Sequence, residues 1–256
     1  MSILKKIFIN IAEIYKILPY TLSAFISDFK SKKNVFKKLF IEEVLNSGIA
    51  ALPIVIILGF VSGVLAIVLF PFDKISFGIE NIHGNLFTNI IIRELAPSLT
   101  TFVVMIRSTI SITIELTQMR KFGEIDTIEL LGINPLQYLG TMKIFAGILS
   151  LPVLTIYFVI SALLSSMISA MFANNIPMIR YLSEIYAAVS FNDIFIFILK
   201  TLISGTLIFV IAIHHGLSKK IHRNMVIDRT IRAITVSIFT VLLVNILITV
   251  GIYAAG

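Results

Sequence analysis

This 256-residue chain reads as an all-α integral membrane protein, with N-terminal helices lying in the membrane interface and five transmembrane helices after them. Its composition, its charge-free stretches and the placement of its basic residues all lead there. Mean hydropathy is +1.00, with 57% hydrophobic and 14% charged residues, which is far from the balance of a soluble domain. Several stretches match the ~20 apolar residues that cross a hydrocarbon core about 30 Å thick. Lysine and arginine gather on alternate loops, as in membrane proteins of defined orientation.

Residues 1–43 form the interfacial segment and residues 44–256 the five-helix domain. Within 3–27 and 34–47, Ile, Leu and Phe alternate with Lys at helical spacing, as in VFKKLFIEEVL; such helices lie in the headgroup plane. The start, MSILKKIFINIAEIYK, is interrupted by Asn10 and Glu13 and has no small-residue cleavage site, so it is not read as a signal peptide. The first span is expected at about 48–70, where no charge occurs. The second covers 86–118 and keeps Arg93, Glu94, Arg107 and Glu115. The third falls within the uncharged run 144–179, long enough to tilt or to continue into an outer segment. The fourth is 194–216, interrupted only by Lys200, and the fifth is 233–256.

Sixteen of the 21 Lys and Arg residues fall in the N-terminal segment and the loops expected on its side of the membrane, whereas the opposite loops hold only Lys74 and Arg180. The positive-inside rule makes the N-terminus cytoplasmic and the C-terminus periplasmic. This bias accounts for the net charge of +7 without nucleic acid. With no cysteine, a disulfide framework and thiolate chemistry are excluded.

Charge inside a span is costly and marks a functional site by default. On an ideal helix of ~100° per residue, Arg93 at zero places Arg107 near −40°, Ser111 near zero and Glu115 near +40°, with Glu94 at the edge near +100°. Pro97 bends such a helix. Two readings stay open: a polar stripe lining a lipid cavity, or charges snorkelling to the two interfaces. The loop after this span, KFGEIDTIELLGINP, is amphipathic. Glu124, Asp126 and Glu129 give a polar face, and Ile125, Ile128 and Leu131 an apolar one. Gly132 suits a C-cap and Pro135 begins the next element. Such a helix inserts into a groove on a partner or lies on the membrane. Gly59 and Gly63 form a small-xxx-small pair. His214 and His215 are adjacent and point apart, which makes a poor metal pair, and no metal site or catalytic residue is expected. There is no Walker A glycine loop, so no cofactor is expected in this chain.

These residues together resemble the MlaE/YrbE permease family, the membrane subunits of ABC transporters that move lipids. The resemblance runs through LNSGIAALPIVIILGFVSGVLA at 45–66 and through Arg93-Glu94-Leu95-Ala96-Pro97. It continues with Arg107, Glu115, Met119, the loop from Glu124 to Pro135, Lys143 and Ala146. It is weaker near the C-terminus, where MVIDRTIRA at 225–233 keeps only Thr230, Arg232 and Ala233 of the family's final cytoplasmic turn. The resemblance implies a permease subunit, paired with a second copy as a homodimer or heterodimer, in a bacterial cytoplasmic (inner) membrane or a plastid equivalent. It also implies a cytoplasmic ABC ATPase that holds ATP and magnesium, an MCE-domain partner outside and a phospholipid cargo. Two rivals are an intramembrane lipid-modifying enzyme with Glu94 or Glu115 as base, and a structural membrane scaffold.

Overall fold

The computed structural model describes residues 40–41, 43–45, 48–69, 84–85, 87–174, 176–218 and 225–255. The interfacial segment expected over 1–43 therefore lies almost wholly outside the described residues. After a 3-10 turn at Ile49–Ala51, helix α1 covers Leu52–Leu69. Helix α2 is Phe87–Lys121. Then follow α3 (Glu124–Leu130), α4 (Thr141–Asn174), α5 (Met178–Ala188), α6 (Phe191–Gly216) and α7 (Met225–Ala255). Five helical segments are long and apolar enough to cross a membrane: Glu43–Leu69, Phe87–Lys121, Leu136–Phe172, Phe191–Gly216 and Met225–Gly251. The fold is the expected all-helical one with five candidate spans.

Two boundaries differ from the sequence reading. The third run breaks after Asn174, and a separate helix, α5, starts behind Pro177, whose extended backbone (ψ 135°) cannot continue a helix. The last helix begins at Met225, eight residues before the expected start, because Asp228, Arg229 and Arg232 lie in its first turns and not in a loop. Charges at a helix end read as loop in sequence but are compatible with helix wherever they find partners; Arg229 donates to the Gly216 carbonyl at 3.2 Å.

The described residues pack as two compact units. One comprises 51–103 and 151–202. Its centre is the approach of α1 to α4. A Cβ on Gly59 would come within 2.6 Å of the Phe158 carbonyl oxygen, and one on Gly63 would overlap the Ala162 carbonyl and Ser165 Oγ. The Ser161 hydroxyl donates to the Ile56 carbonyl at 2.7 Å. Close backbone approach and interhelical hydrogen bonds are what hold helices together where lipid is as apolar as a side chain. The other face of α1, with Ile57, Val61, Leu65 and Leu69, is exposed apolar surface, as a lipid-facing helix requires. In α5, Tyr181 is buried, and burial pushes its phenol up to about 12.

The other unit comprises residues up to 50 together with 104–150 and 203–256. Here α7 packs along the later part of α2. Gly147 lies under the ring of Phe209, and Gly216 meets Leu116. In both units buried hydroxyls return to their own helix, as Thr100 to Ala96, Ser150 to Ala146 and Thr155 to Leu151, at 2.6–2.7 Å. Without water, these are the acceptors within reach.

Helix α2 is not a uniform α-helix. Phe87–Leu95 and Met105–Thr109 have π geometry, and so does Leu136–Gly140 before α4. An i→i+5 turn advances less than ~100° per residue, so the angular positions of an ideal helix do not carry through α2. Arg93 and Glu94 fall in the first π stretch and Arg107 in the second.

Candidate functional site

The charged residues Arg93, Glu94, Arg107 and Glu115 of α2 belong to separate clusters, in which they bind groups distant in sequence. In the first, Arg93 Nε donates to Asp193 Oδ1 at 2.5 Å. Asp193 is fully buried and also accepts from the Ser190 backbone N–H and hydroxyl at 2.9 and 2.8 Å. The bond from the Ser190 N–H to the Asp193 carboxylate is the return half of a capping box at the start of α6, and Arg93 binds the same carboxylate. Beside them, Lys200 Nζ donates to Glu94 Oε1 at 2.8 Å and to the Arg93 carbonyl at 3.0 Å. Lys200 is 1% exposed, and these bonds offset the cost of burying its ammonium. Arg93 and Glu94 remain partly exposed, at 27% and 40% of their side chains. Pro97 follows within the α-helical stretch Ala96–Val104.

In the second cluster, Lys143 Nζ donates to Glu115 at 2.9 Å and to Glu43 at 3.1 Å. Arg107 donates through Nη1 to the Ala50 carbonyl. Between them opens a cavity of about 250 Å³, walled by Glu43, Arg107, Ser108, Ser111 and Glu115. Ala50 and Ile112 are its apolar surfaces. Ser108 is buried, and its Oγ has no hydrogen-bond partner among the described residues. Arg107, Ser111 and Glu115 therefore do meet at one site, as their spacing suggested, whereas Arg93 and Glu94 belong to the other cluster.

Beyond α2, Gly123 adopts φ +79° and opens α3. Gly132, at φ +75°, closes it. The Gly132 N–H bonds the Glu129 carbonyl at 3.0 Å, and the Ile133 N–H bonds that of Ile128 at 3.2 Å, a Schellman ending that only glycine adopts without strain. Ile125 is fully buried and anchors the helix. Arg120, 5% exposed, donates to Asp126 at 2.6 Å, to Glu129 at 3.1 Å and to the Leu217 carbonyl at 3.2 Å. Two of the three acidic residues of the loop are thus bound within the chain; Glu124 stays exposed. Ile128 is half-buried. The apolar side chains that point outward are Phe122 (73% exposed), Leu130 (87%) and Leu131 (71%).

The family model for the permease MlaE matches residues 40–251. The chain belongs to the MlaE permease family. It is similar to the probable ABC transporter permease protein ycf63 of Pyropia yezoensis, 28% identical over 153 residues, or 60% of this chain and 58% of that one. A probable ABC transporter permease of Rickettsia typhi is 25% identical over 220 residues, 85% of this chain and 84% of the relative. The intermembrane phospholipid transport system permease MlaE of Haemophilus influenzae is 29% identical over 85 residues, 33% of each chain. The chain spans little more than half the length of the Pyropia relative.

In this MlaE-family permease, a multi-pass membrane protein, the structure adds five residues that spacing alone did not bring into the site. Asp193 and Lys200 neutralise Arg93 and Glu94 across about a hundred residues of sequence. Glu43 and Lys143 complete the second cluster, and Arg120 ties down α3. Lys200 carried a signal in sequence, as the one charge in the fourth span.

Proposed function

We propose that this chain is the permease subunit of an ATP-driven ABC transporter that moves phospholipid or a related lipid. It works in a bacterial cytoplasmic membrane as a dimer, exchanging lipid with an MCE-domain partner. The observation that carries this reading is the loop helix α3, rigidly fixed from inside by Ile125 and Arg120 while Phe122, Leu130 and Leu131 face outward. Exposed apolar anchors on a short, well-held helix are what a partner's groove takes up. The chain has no nucleotide-binding loop, so ATP and magnesium sit on the partner. The name of the Haemophilus relative supports phospholipid as the cargo. The basic bias of the loops supports a cytoplasmic N-terminus and a periplasmic C-terminus.

ATPase closure would push α3, and Arg120 would pass that motion to the end of α2 and to Leu217 just after α6. The polar clusters would then open and close against headgroups while the apolar surfaces accept acyl chains. Glu94 and Glu115 are each held by a lysine, which argues for a binding role over that of a general base. The test is reconstitution of the chain with its ATPase in vesicles carrying labelled phospholipid. ATP-dependent lipid transfer supports the reading; lipid chemistry by the chain alone, without transfer, overturns it.

A further inference from the structure

Helix α5 is the reverse of a helix made for water. On a turn of ~100° per residue, Ile179, Leu182 and Tyr186 fall on one face, and Tyr181, Glu184 and Ile185 on the other. The apolar face is the outward one: Ile179 is 84% exposed and Tyr186 87%, while the ionisable Tyr181 and Glu184 are buried. Tyr181 reaches the Ser166 hydroxyl of α4, and the backbone at Gly84 packs against the Glu184 carbonyl. Ser183, also on the outward side, returns its hydroxyl to the Arg180 carbonyl at 2.7 Å. The chain keeps this face at the membrane. The third span ends at Phe172 and the fourth begins at Phe191, and both rings are largely exposed. No more than about 11 Å of extended chain separates Ala188 from Phe191. With 11 residues α5 is ~16 Å long, too short to cross a core of about 30 Å. On its flank Arg180 is 75% exposed; its Nε meets Glu184 Oε1 at 3.3 Å, and the rest of its N–H fork suits phosphate oxygens.

We propose that α5 docks on a lipid surface, lying in the interface of the leaflet opposite the basic loops, with Ile179, Leu182 and Tyr186 among the upper acyl carbons and Arg180 at the phosphates. A helix of this kind is held by the apolar area it sinks ~5–10 Å below the headgroups and by its charge contacts. Tyr186 suits that depth, with an apolar ring and a polar tip. Lipid is favoured over a protein partner because the apolar surface continues, on both sides of α5, into span ends that lipid surrounds. The proposal rests on the five spans and not on the lipid-transfer reading.

The experiment uses the full complex in nanodiscs, with an encoded fluorescent amino acid at Ile179 or at Tyr186. The lipid is phosphatidylcholine brominated at shallow or at deep acyl carbons, and iodide is the quencher in water. A probe at Val61, exposed near the middle of α1, gives the deep reference. Shallow bromines should quench the probes at Ile179 and Tyr186 several-fold more than deep ones, with little effect of iodide, and the order of the bromines should reverse at Val61. Because the two positions are so exposed, the probes place no bulk in the core; should either variant fail to assemble, a probe at Leu182 gives the same reading. Iodide quenching without bromine quenching overturns the proposal in favour of a solvated helix. Shielding from both quenchers overturns it in favour of a protein cover, whether a partner or a second copy of the chain. Ile179→Asp with Tyr186→Asp should abolish bromine quenching at Leu182; quenching that persists there shows that this face does not hold the helix in lipid and also overturns the proposal. Lipid transfer is read from the same samples, and its absence defeats the permease reading while leaving this inference standing.

Discussion

Arg120 at the end of α2 and Asp126 in α3 form an ion pair of 2.6 Å in which the guanidinium is 5% exposed and the carboxylate 53%. The same guanidinium reaches the Leu217 carbonyl, so one buried side chain joins the loop helix to two membrane helices.

Arg120→Gln should therefore loosen α3 without unfolding the membrane domain. Because Asp126 is half-exposed, the loss should be about 1–3 kcal/mol, below the 3–5 kcal/mol of a wholly buried pair. Limited proteolysis between residues 122 and 133 should speed up several-fold, and Arg120→Lys should restore part of the protection. Unchanged proteolysis in Arg120→Gln would show that the arginine does not hold the loop.

Lys200 and Glu94 should behave as a coupled pair. Lys200→Met alone removes an ammonium from Glu94, and Glu94→Gln alone removes a carboxylate from a buried cation; each should cost about 3–5 kcal/mol at most, less for Lys200→Met because Glu94 is 40% exposed. The double change Glu94→Gln with Lys200→Met should recover much of the thermal stability in detergent. It should still lack lipid transfer if the cluster serves the cargo. Strictly additive losses of stability would mean that the two residues do not stabilise each other.

The five spans were legible because predominantly apolar runs of about 20 residues or more have few other meanings, even where, as in the second and fourth, they keep charges. The ending of α3 was legible too, since Gly132 occupies a position where other residues are strained. What the sequence hid follows from longer-range physics. The π stretches in α2 leave no periodic signature, so an ideal-helix stripe merged residues that split between two clusters. Asp126 and Glu129 looked like an outward acidic face because their partner, Arg120, reads as an ordinary basic residue at a membrane boundary. Asp228, Arg229 and Arg232 suggested a loop, since nothing in sequence revealed that Arg229 would find the Gly216 carbonyl.

Gly63 should tolerate no larger side chain. A Cβ there collides with the Ala162 carbonyl and Ser165 Oγ, whereas one on Gly251 meets nothing within 4 Å. Gly63→Val should lower the unfolding temperature of the purified protein by several degrees, the scale of an overpacking cost of about 1–3 kcal/mol. Gly251→Val should leave it within error. Similar behaviour of the two variants would contradict the close approach of α1 to α4.

Orientation is open to direct test. A reporter fused after Gly256 should be periplasmic and one inserted at Lys220 cytoplasmic, given the basic bias of the loops. A cytoplasmic C-terminus would be incompatible with five crossings from a cytoplasmic N-terminus.

The central claim is that a separate ATPase drives this permease through the outward apolar side chains of α3. Leu130 and Leu131 are 87% and 71% exposed, so Leu130→Asp with Leu131→Asp should place charge in the partner's groove at little cost to the fold. The direct measurement is the stoichiometry of ATPase copurifying with the double variant. The account predicts normal membrane insertion and dimerisation, loss of the ATPase from the complex and no lipid transfer. An ATPase retained at wild-type stoichiometry and still driving transfer would contradict it.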